Sequence, residues 1–146
     1  MSQILAISEG AAIAMHTVVL LALHKDELLT THFMSEELKV SENHCSKILQ
    51  RLAREGLIEA VRGPKGGFRL AVEPRKLRLL DIYNAIEGKL CEKHCLFKVD
   101  KCPAEKCLFY ELTSEINRMV RDFLENNTVY DAVRKGTFKI IKKMEE

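Results

Sequence analysis

Four of the five cysteines, Cys91, Cys95, Cys102 and Cys107, fall within 17 residues in the spacing C-x3-C-x6-C-x4-C, while Cys45 stands alone. Four thiolates this close can satisfy either a tetrahedral zinc ion or an iron–sulfur cluster, and spacing does not choose between them. Zinc ribbons also use two short cysteine pairs, but the six-residue link here is shorter than their usual separation, and neither common ferredoxin spacing matches. The plain alternative is a pair of redox-labile disulfides or free thiols. Lys89, Lys93, Lys98, Lys101 and Lys106 outnumber Glu92, Asp100 and Glu105 in this stretch, which favours thiolates and a bound anionic cluster. His94 is a spare ligand, although a loop histidine is more often solvent-exposed. Glu9 could reach a cluster from another chain, but an acid near a helix start has a sufficient reason in the helix dipole. His16 is expected as a hydrogen-bonded core histidine, and Cys45 as a small core hydrophobe.

A second constellation is basic. Residues 41–78 carry nine Lys and Arg against four acids, a local charge of +5 that leaves −3 for the remainder of a chain whose net charge is +2. Such a block is often only a solvated face, but it can also meet a polyanion. The glycine run Gly63-Pro64-Lys65-Gly66-Gly67 is not a phosphate-cradling P-loop, because Gly67 leads into Phe68 and an alternating strand rather than into Gly-Lys-Ser/Thr at a helix start. No dinucleotide fingerprint and no Ser/His/Asp or Cys/His catalytic pattern is present, so an enzyme is not expected, and an electron carrier would leave the basic block unexplained.

The elements that position these residues follow from periodicity and caps. Residues 11–24 read as a helix that is apolar nearly all round and therefore surrounded by other elements. A short helix over 31–38 follows. Ser41 is an N-cap for a helix running to Glu55, with Cys45, Ile48, Leu49 and Leu52 on its buried stripe and Gly56 at its C-terminal end. Two helices joined by about three residues form a helix-turn-helix candidate. Residues 57–61 and 68–71 read as a hairpin closed by the Gly/Pro tip, so the assembly is a winged helix. Pro74 is read as opening the next helix, striped by Leu79, Leu80, Tyr83 and Ile86 and ended by Gly88. Residues 88–107 have no period and read as a loop. From Leu108 a long helix carries the stripe Leu108, Leu112, Ile116, Met119, Val120, Phe123 and Leu124, a face that must pack on its own domain or on a second copy. Thr128 caps a short helix to Lys135, and residues 139–146 form a charged tail expected to fray.

In the second helix of the pair, the buried stripe leaves Asn43, His44, Lys47, Gln50, Arg51 and Arg54 on other faces. The N-terminal end of such a helix enters the major groove, which makes Asn43, His44, Ser46 and Lys47 candidates for base edges. Arg62, Lys65 and Arg69 surround the wing, suited to phosphates or the minor groove, and Arg51 and Arg54 suit phosphates.

The chain has 146 residues, 47% of them apolar and 30% charged, which excludes a disordered or low-complexity protein and fits one domain with a protruding element. The longest apolar run has 13 residues and is interrupted by His16, short of the roughly 20 needed to cross a bilayer. The segment before it holds Glu9 and no Lys or Arg, so the positive region of a secretory signal is missing, and a cytoplasmic protein with reduced thiols and no membrane partner is expected.

The stretch VSENHCSKILQRLAREGLIEAVRGPKGGFRL (residues 40–70) resembles the recognition helix and wing of the IscR/NsrR/CymR group of bacterial winged-helix regulators, the Rrf superfamily. VRGPKGGFRL is its most specific part. The likeness continues through LLDIYNAIEG, the cysteine loop and FLENNTVYDAV, covering nearly the whole chain. It implies a mainly α protein: a winged helix-turn-helix DNA-binding domain (1–87) with a two-stranded β wing, a cysteine-rich cluster-binding loop (88–107), a dimerisation helix (108–127) built on Leu108, Leu112, Ile116, Met119, Val120 and Phe123, and a short C-terminal helix and tail (128–146). It further implies a homodimer binding double-stranded DNA at a near-palindromic operator, most simply as a repressor, and an iron–sulfur cluster, 2Fe-2S or 4Fe-4S, that senses iron, redox state, oxygen or nitric oxide. Zinc or a thiol switch is the alternative. IscR-like members carry three cysteines and a histidine three residues after the last; here that position is Tyr110. Because the extra cysteine appears where the histidine has gone, Cys91, Cys95, Cys102 and Cys107 are all taken as ligands.

Overall fold

The computed structural model describes residues 7–92, 95–96 and 105–136. Its elements run α1 (Glu9–Leu23), α2 (Thr31–Leu38), α3 (Glu42–Arg54), β1 (Ile58–Val61), β2 (Gly67–Leu70), α4 (Leu79–Glu87), α5 (Tyr110–Asn126) and α6 (Val129–Arg134). This is the mainly helical winged helix-turn-helix fold expected from the sequence, with a two-stranded wing and a C-terminal helix.

α1 is the hub. Its all-round apolarity is used on several sides, since it packs against α2, α3, α4, α6 and β2. Ser8 caps it by accepting from the Ala11 amide, and the same hydroxyl contacts Glu87 at the end of α4. His16 departs from the sequence reading: it is exposed, with Nδ1 2.7 Å from the Ala12 carbonyl. The buried polar position next to it belongs to Thr17, whose hydroxyl donates to the Ile13 carbonyl at 2.8 Å, so burial leaves that group satisfied.

The helix-turn-helix pair is fixed by caps at both starts. Thr30 accepts from the Phe33 amide, and Ser41 from the His44 amide. Between them Lys39 takes the left-handed conformation at φ 55, ending α2 within two residues of the next cap. α3 ends as Gly56 adopts φ +75 and the Leu57 amide returns to the Leu52 carbonyl, a reversal that a side chain at 56 would strain.

The wing pairs β1 with β2 antiparallel, in the register Ile58↔Leu70 to Val61↔Gly67. It is also tied to the body. Leu29 and Phe68 exchange both backbone hydrogen bonds, at 3.0 and 2.8 Å, which holds β2 against the chain ahead of α2.

Pro74 does not open α4. Lys76 and Leu77 both donate to the Glu73 carbonyl, making a turn that drives Leu77 into the core, and Arg78 remains extended as the N-cap before Leu79. Two backbone bonds, Leu79 N–H to Asn127 and Val129 N–H to Leu77, then bind this turn to the start of α6. α5 begins at Tyr110 rather than Leu108, and α1 at Glu9 rather than Ala11. The core gathers Leu21, Met34, Leu49, Leu52, Leu77, Ile82, Leu124 and Val129 from nearly every element, each large side chain contributing about 1.5–3 kcal/mol by leaving water. Among the described residues no helix is long and apolar enough to cross a membrane.

Candidate nucleic-acid interface and cysteine segment

α3 buries Cys45, Ile48, Leu49 and Leu52 against the core, and this orientation sends its polar residues outward. Asn43, Lys47, Gln50, Arg51 and Arg54 are exposed, while His44 and Ser46 are half-buried. Gln50 reaches back to the Ser46 hydroxyl at 3.4 Å. Burial pushes the Cys45 thiol up in pKa, with the Glu42 carboxylate adding to the effect, so it stays protonated as a core side chain.

Arg62 and Lys65 stand exposed at the wing tip. Among the described residues no acid forms an ion pair with either, or with Lys47, Arg51 or Arg54. Arg69 is different. Its Nε donates to Glu59 Oε2 at 2.8 Å across the hairpin, where the two residues are register partners. The guanidinium hydrogen bond holds the Glu59 carboxyl below the usual carboxylate range. Arg69 therefore enters any polyanion contact already shared with an acid.

Two features of this face were not singled out from the sequence. His32, at the start of α2, lies 3.4 Å from Glu42 at the start of α3, bridging the two helices beside the groove-reading end. The signal was present only as Thr-His at one helix start and Glu at the next. The close backbone approach at the tip glycines is the second feature: a Cβ on Gly66 would stand 2.2 Å from the Val61 carbonyl oxygen, and one on Gly67 2.8 Å from that of Leu29. Backbone packs where a side chain would be, so Gly66→Ala should open the tip. Expected is a loss of about 1–3 kcal/mol in urea unfolding, against under about 0.5 kcal/mol for exposed Lys65→Ala. An unchanged midpoint for Gly66→Ala would contradict this account.

The cysteine segment is described in part. Cys91, Cys95 and Cys107 are exposed free thiols; Cys102 and His94 lie outside the described residues. Among the described residues no three of His, Cys, Asp and Glu stand together as a metal cage, so Cys91, Cys95 and Cys107 are not brought to one point. The chemistry of the donors nonetheless fits an iron–sulfur cluster: thiols at the surface with Lys89 and Lys106 exposed beside them. Glu9, in the first turn of α1, is exposed, as expected of an acid at a helix start.

The long-helix stripe splits in two. Leu124 is wholly buried and Ile116 and Val120 are half-buried against the chain, whereas Leu108 is 87%, Met119 71%, Leu112 56% and Phe123 51% exposed.

A capped helix pair with a basic outward face and a tethered hairpin defines a winged helix-turn-helix protein of the transcription-regulator class. The sequence profile of the Rrf2 family, described as iron-dependent transcriptional regulators, matches residues 7–135, and the chain belongs to that family. A protein of Aquifex aeolicus (strain VF5), placed by name among HTH-type transcriptional regulators, is 26% identical over 129 residues, covering 86% of this chain and 90% of that one. IscR of Vibrio campbellii is 26% identical over 101 residues, spanning 69% of this chain and 60% of its own. Among solved structures, the oxidized form of Staphylococcus aureus CymR superposes with a TM-score of 0.67 at 26% identity, over 88% of this chain and 96% of that chain.

Proposed function

We propose that this regulator binds double-stranded DNA as a homodimer at a near-palindromic operator, through Asn43, His44, Ser46, Lys47, Arg51, Arg54, Arg62, Lys65 and Arg69, and that an iron–sulfur cluster modulates that binding, most simply as a repressor. The carrying observation is the pairing, in one chain, of a pre-formed basic winged helix with a surface segment rich in thiols. Cys91, Cys95, Cys102 and Cys107 would hold the cluster, which when bound supplies a centre able to change redox state or be lost. The exposed face of α5 supports the dimer: Leu112, Met119 and Phe123, with Leu108 just ahead of the helix, form an apolar strip whose members are each more than half exposed. A two-fold pair presents α3 twice, one helical turn or a multiple apart on the duplex.

The domain limits 1–87, 88–107, 108–127 and 128–146 are kept as functional units within this proposal, with the protein operating in the cytoplasm. The experiment is purification without oxygen, followed by visible absorption and iron, sulfide and zinc content. Expected are a coloured protein with iron and sulfide in equal amounts, and loss of both in single Cys→Ser variants at the four positions. Colourless, zinc-loaded protein would replace the cluster by a structural metal. Colourless, metal-free protein whose DNA binding changes on oxidation would establish a thiol switch instead.

A further inference from the structure

The chain leaves α4 at Gly88, whose φ of +81 turns it away from the helix, and within four residues it is caught twice. The Leu90 amide donates to Asn84 Oδ1 on α4 at 3.0 Å. Glu92 forms an ion pair with Arg121 on α5. Cys91 is the single residue between these anchors, one on each of the two helices that flank the cysteine segment. Leu90 adds a partly buried apolar contact with the core, so the first anchor is not a solvent-frayed one.

The ion pair is better shielded than the Arg69–Glu59 pair of the wing. Arg121 and Glu92 retain 38% and 31% exposure, against 52% and 53% for Arg69 and Glu59. Partial removal from water strengthens such an attraction and makes an unpaired partner costly. Glu92 has other interactions within the chain as well, so a charge-swapped control is needed to isolate the pair. α4 packs on α3 as well as on α5 and α1, and thus touches both the cysteine segment and the recognition helix.

We propose that Asn84 and Arg121 are positioning residues: they fix Cys91 between α4 and α5, and through α4 the state of the cysteine segment is felt by α3. The consequence for DNA rests on the sensor reading above; the placement of Cys91 does not. With Gln at 121 the Glu92 carboxylate loses the Arg121 charge, and the hold on the adjoining Cys91 and Leu90 weakens.

Hydrogen exchange on the full-length protein tests the placement. The Leu90 amide should exchange about fivefold faster or more in Asn84→Ala and Arg121→Gln, the factor expected when one protecting hydrogen bond is lost. Amides of α1 should be unchanged, and the double variant Glu92→Arg/Arg121→Glu should recover most of the protection. A Leu90 amide already as fast as an unstructured chain in wild type, no change in Arg121→Gln, or no recovery in the swap would overturn the proposal. A second arm measures operator affinity before and after N-ethylmaleimide modification. Wild type should respond and Arg121→Gln should respond less; an equal response in both overturns the transmission through α4. If exchange behaves as expected while wild-type affinity ignores the modification, the sensor reading fails and the placement of Cys91 stands.

Discussion

Replacing Leu112 and Met119 by glutamate is expected to turn a dimer into a monomer with little loss of fold, and to weaken operator binding by roughly a hundredfold or more. The first half of this expectation rests on where the two side chains lie. Both are more than half exposed, so charges placed there disturb little intrachain packing, unlike a change at Leu124, which is buried. Seven residues apart on one helix, they lie on nearly the same face about two turns from each other, and two carboxylates per subunit would then have to be desolvated opposite the same two on the partner. The second half follows from linkage. Two half-sites bound by one molecule gain an effective concentration that separated subunits lack, a factor of about 10²–10⁴ in affinity. Sedimentation of both proteins at micromolar concentration, thermal unfolding and titration of one operator give the three readings. A monomeric wild type, or a charged variant that still sediments as a dimer, would remove α5 as the junction. Leu124→Ala is the contrasting control, expected to lower stability by about 2–5 kcal/mol through the cavity it leaves.

How much of this was legible in the sequence depends on the range of the interaction concerned. Local signals were sufficient for α3 and α6, because Ser41 and Thr128 each cap the helix that follows by accepting a backbone N–H, and Gly56 marks a left-handed turn that few other residues adopt; the Thr30 cap of α2 was not singled out. The recognition helix and its buried Cys45 followed from a three- and four-residue period alone. Pro74 misled because proline suits the first turn of a helix equally well as a β-turn, and only the backbone bonds from Leu79 and Val129 to distant partners decide which is built. His16 misled for a related reason: an apolar run says that a helix is surrounded, but not which narrow strip of it still meets water. The Leu29–Phe68 bridge, the Arg78–Thr128 bridge and the Glu92–Arg121 pair join residues far apart in sequence, and no periodicity encodes them. The close approach at Gly66 and Gly67 was visible only as a glycine-rich tip; its cause is a carbonyl supplied by another segment in the case of Gly67.

Operator recognition should separate the basic residues into two groups with different salt and sequence signatures. Arg51, Arg54 and Lys65 are exposed on α3 and at the wing tip, and in the proposed mode they are the phosphate contacts. Removing one should weaken binding to every duplex alike and lower the salt slope by about one unit. Lys47 and Asn43 are exposed near the N-terminal end of α3, with His44 and Ser46 half-buried beside them, and Arg62 stands exposed at the wing. A side chain that reads a base edge is worth about 1–3 kcal/mol of discrimination, so Lys47→Ala and Arg62→Ala should each cut the operator-to-random ratio by roughly fivefold to about 150-fold. Arg69→Ala should do less than Arg62→Ala, because its guanidinium is already engaged by Glu59. The measurement is a titration of wild type and these variants against operator and random duplex at several salt concentrations. If Lys47→Ala and Arg62→Ala leave the ratio unchanged while lowering the salt slope, both are phosphate contacts and the readout lies with Asn43, His44 and Ser46. Absence of preference by wild type for any genomic site, in every cysteine state, would leave the basic face as a general polyanion surface rather than an operator reader.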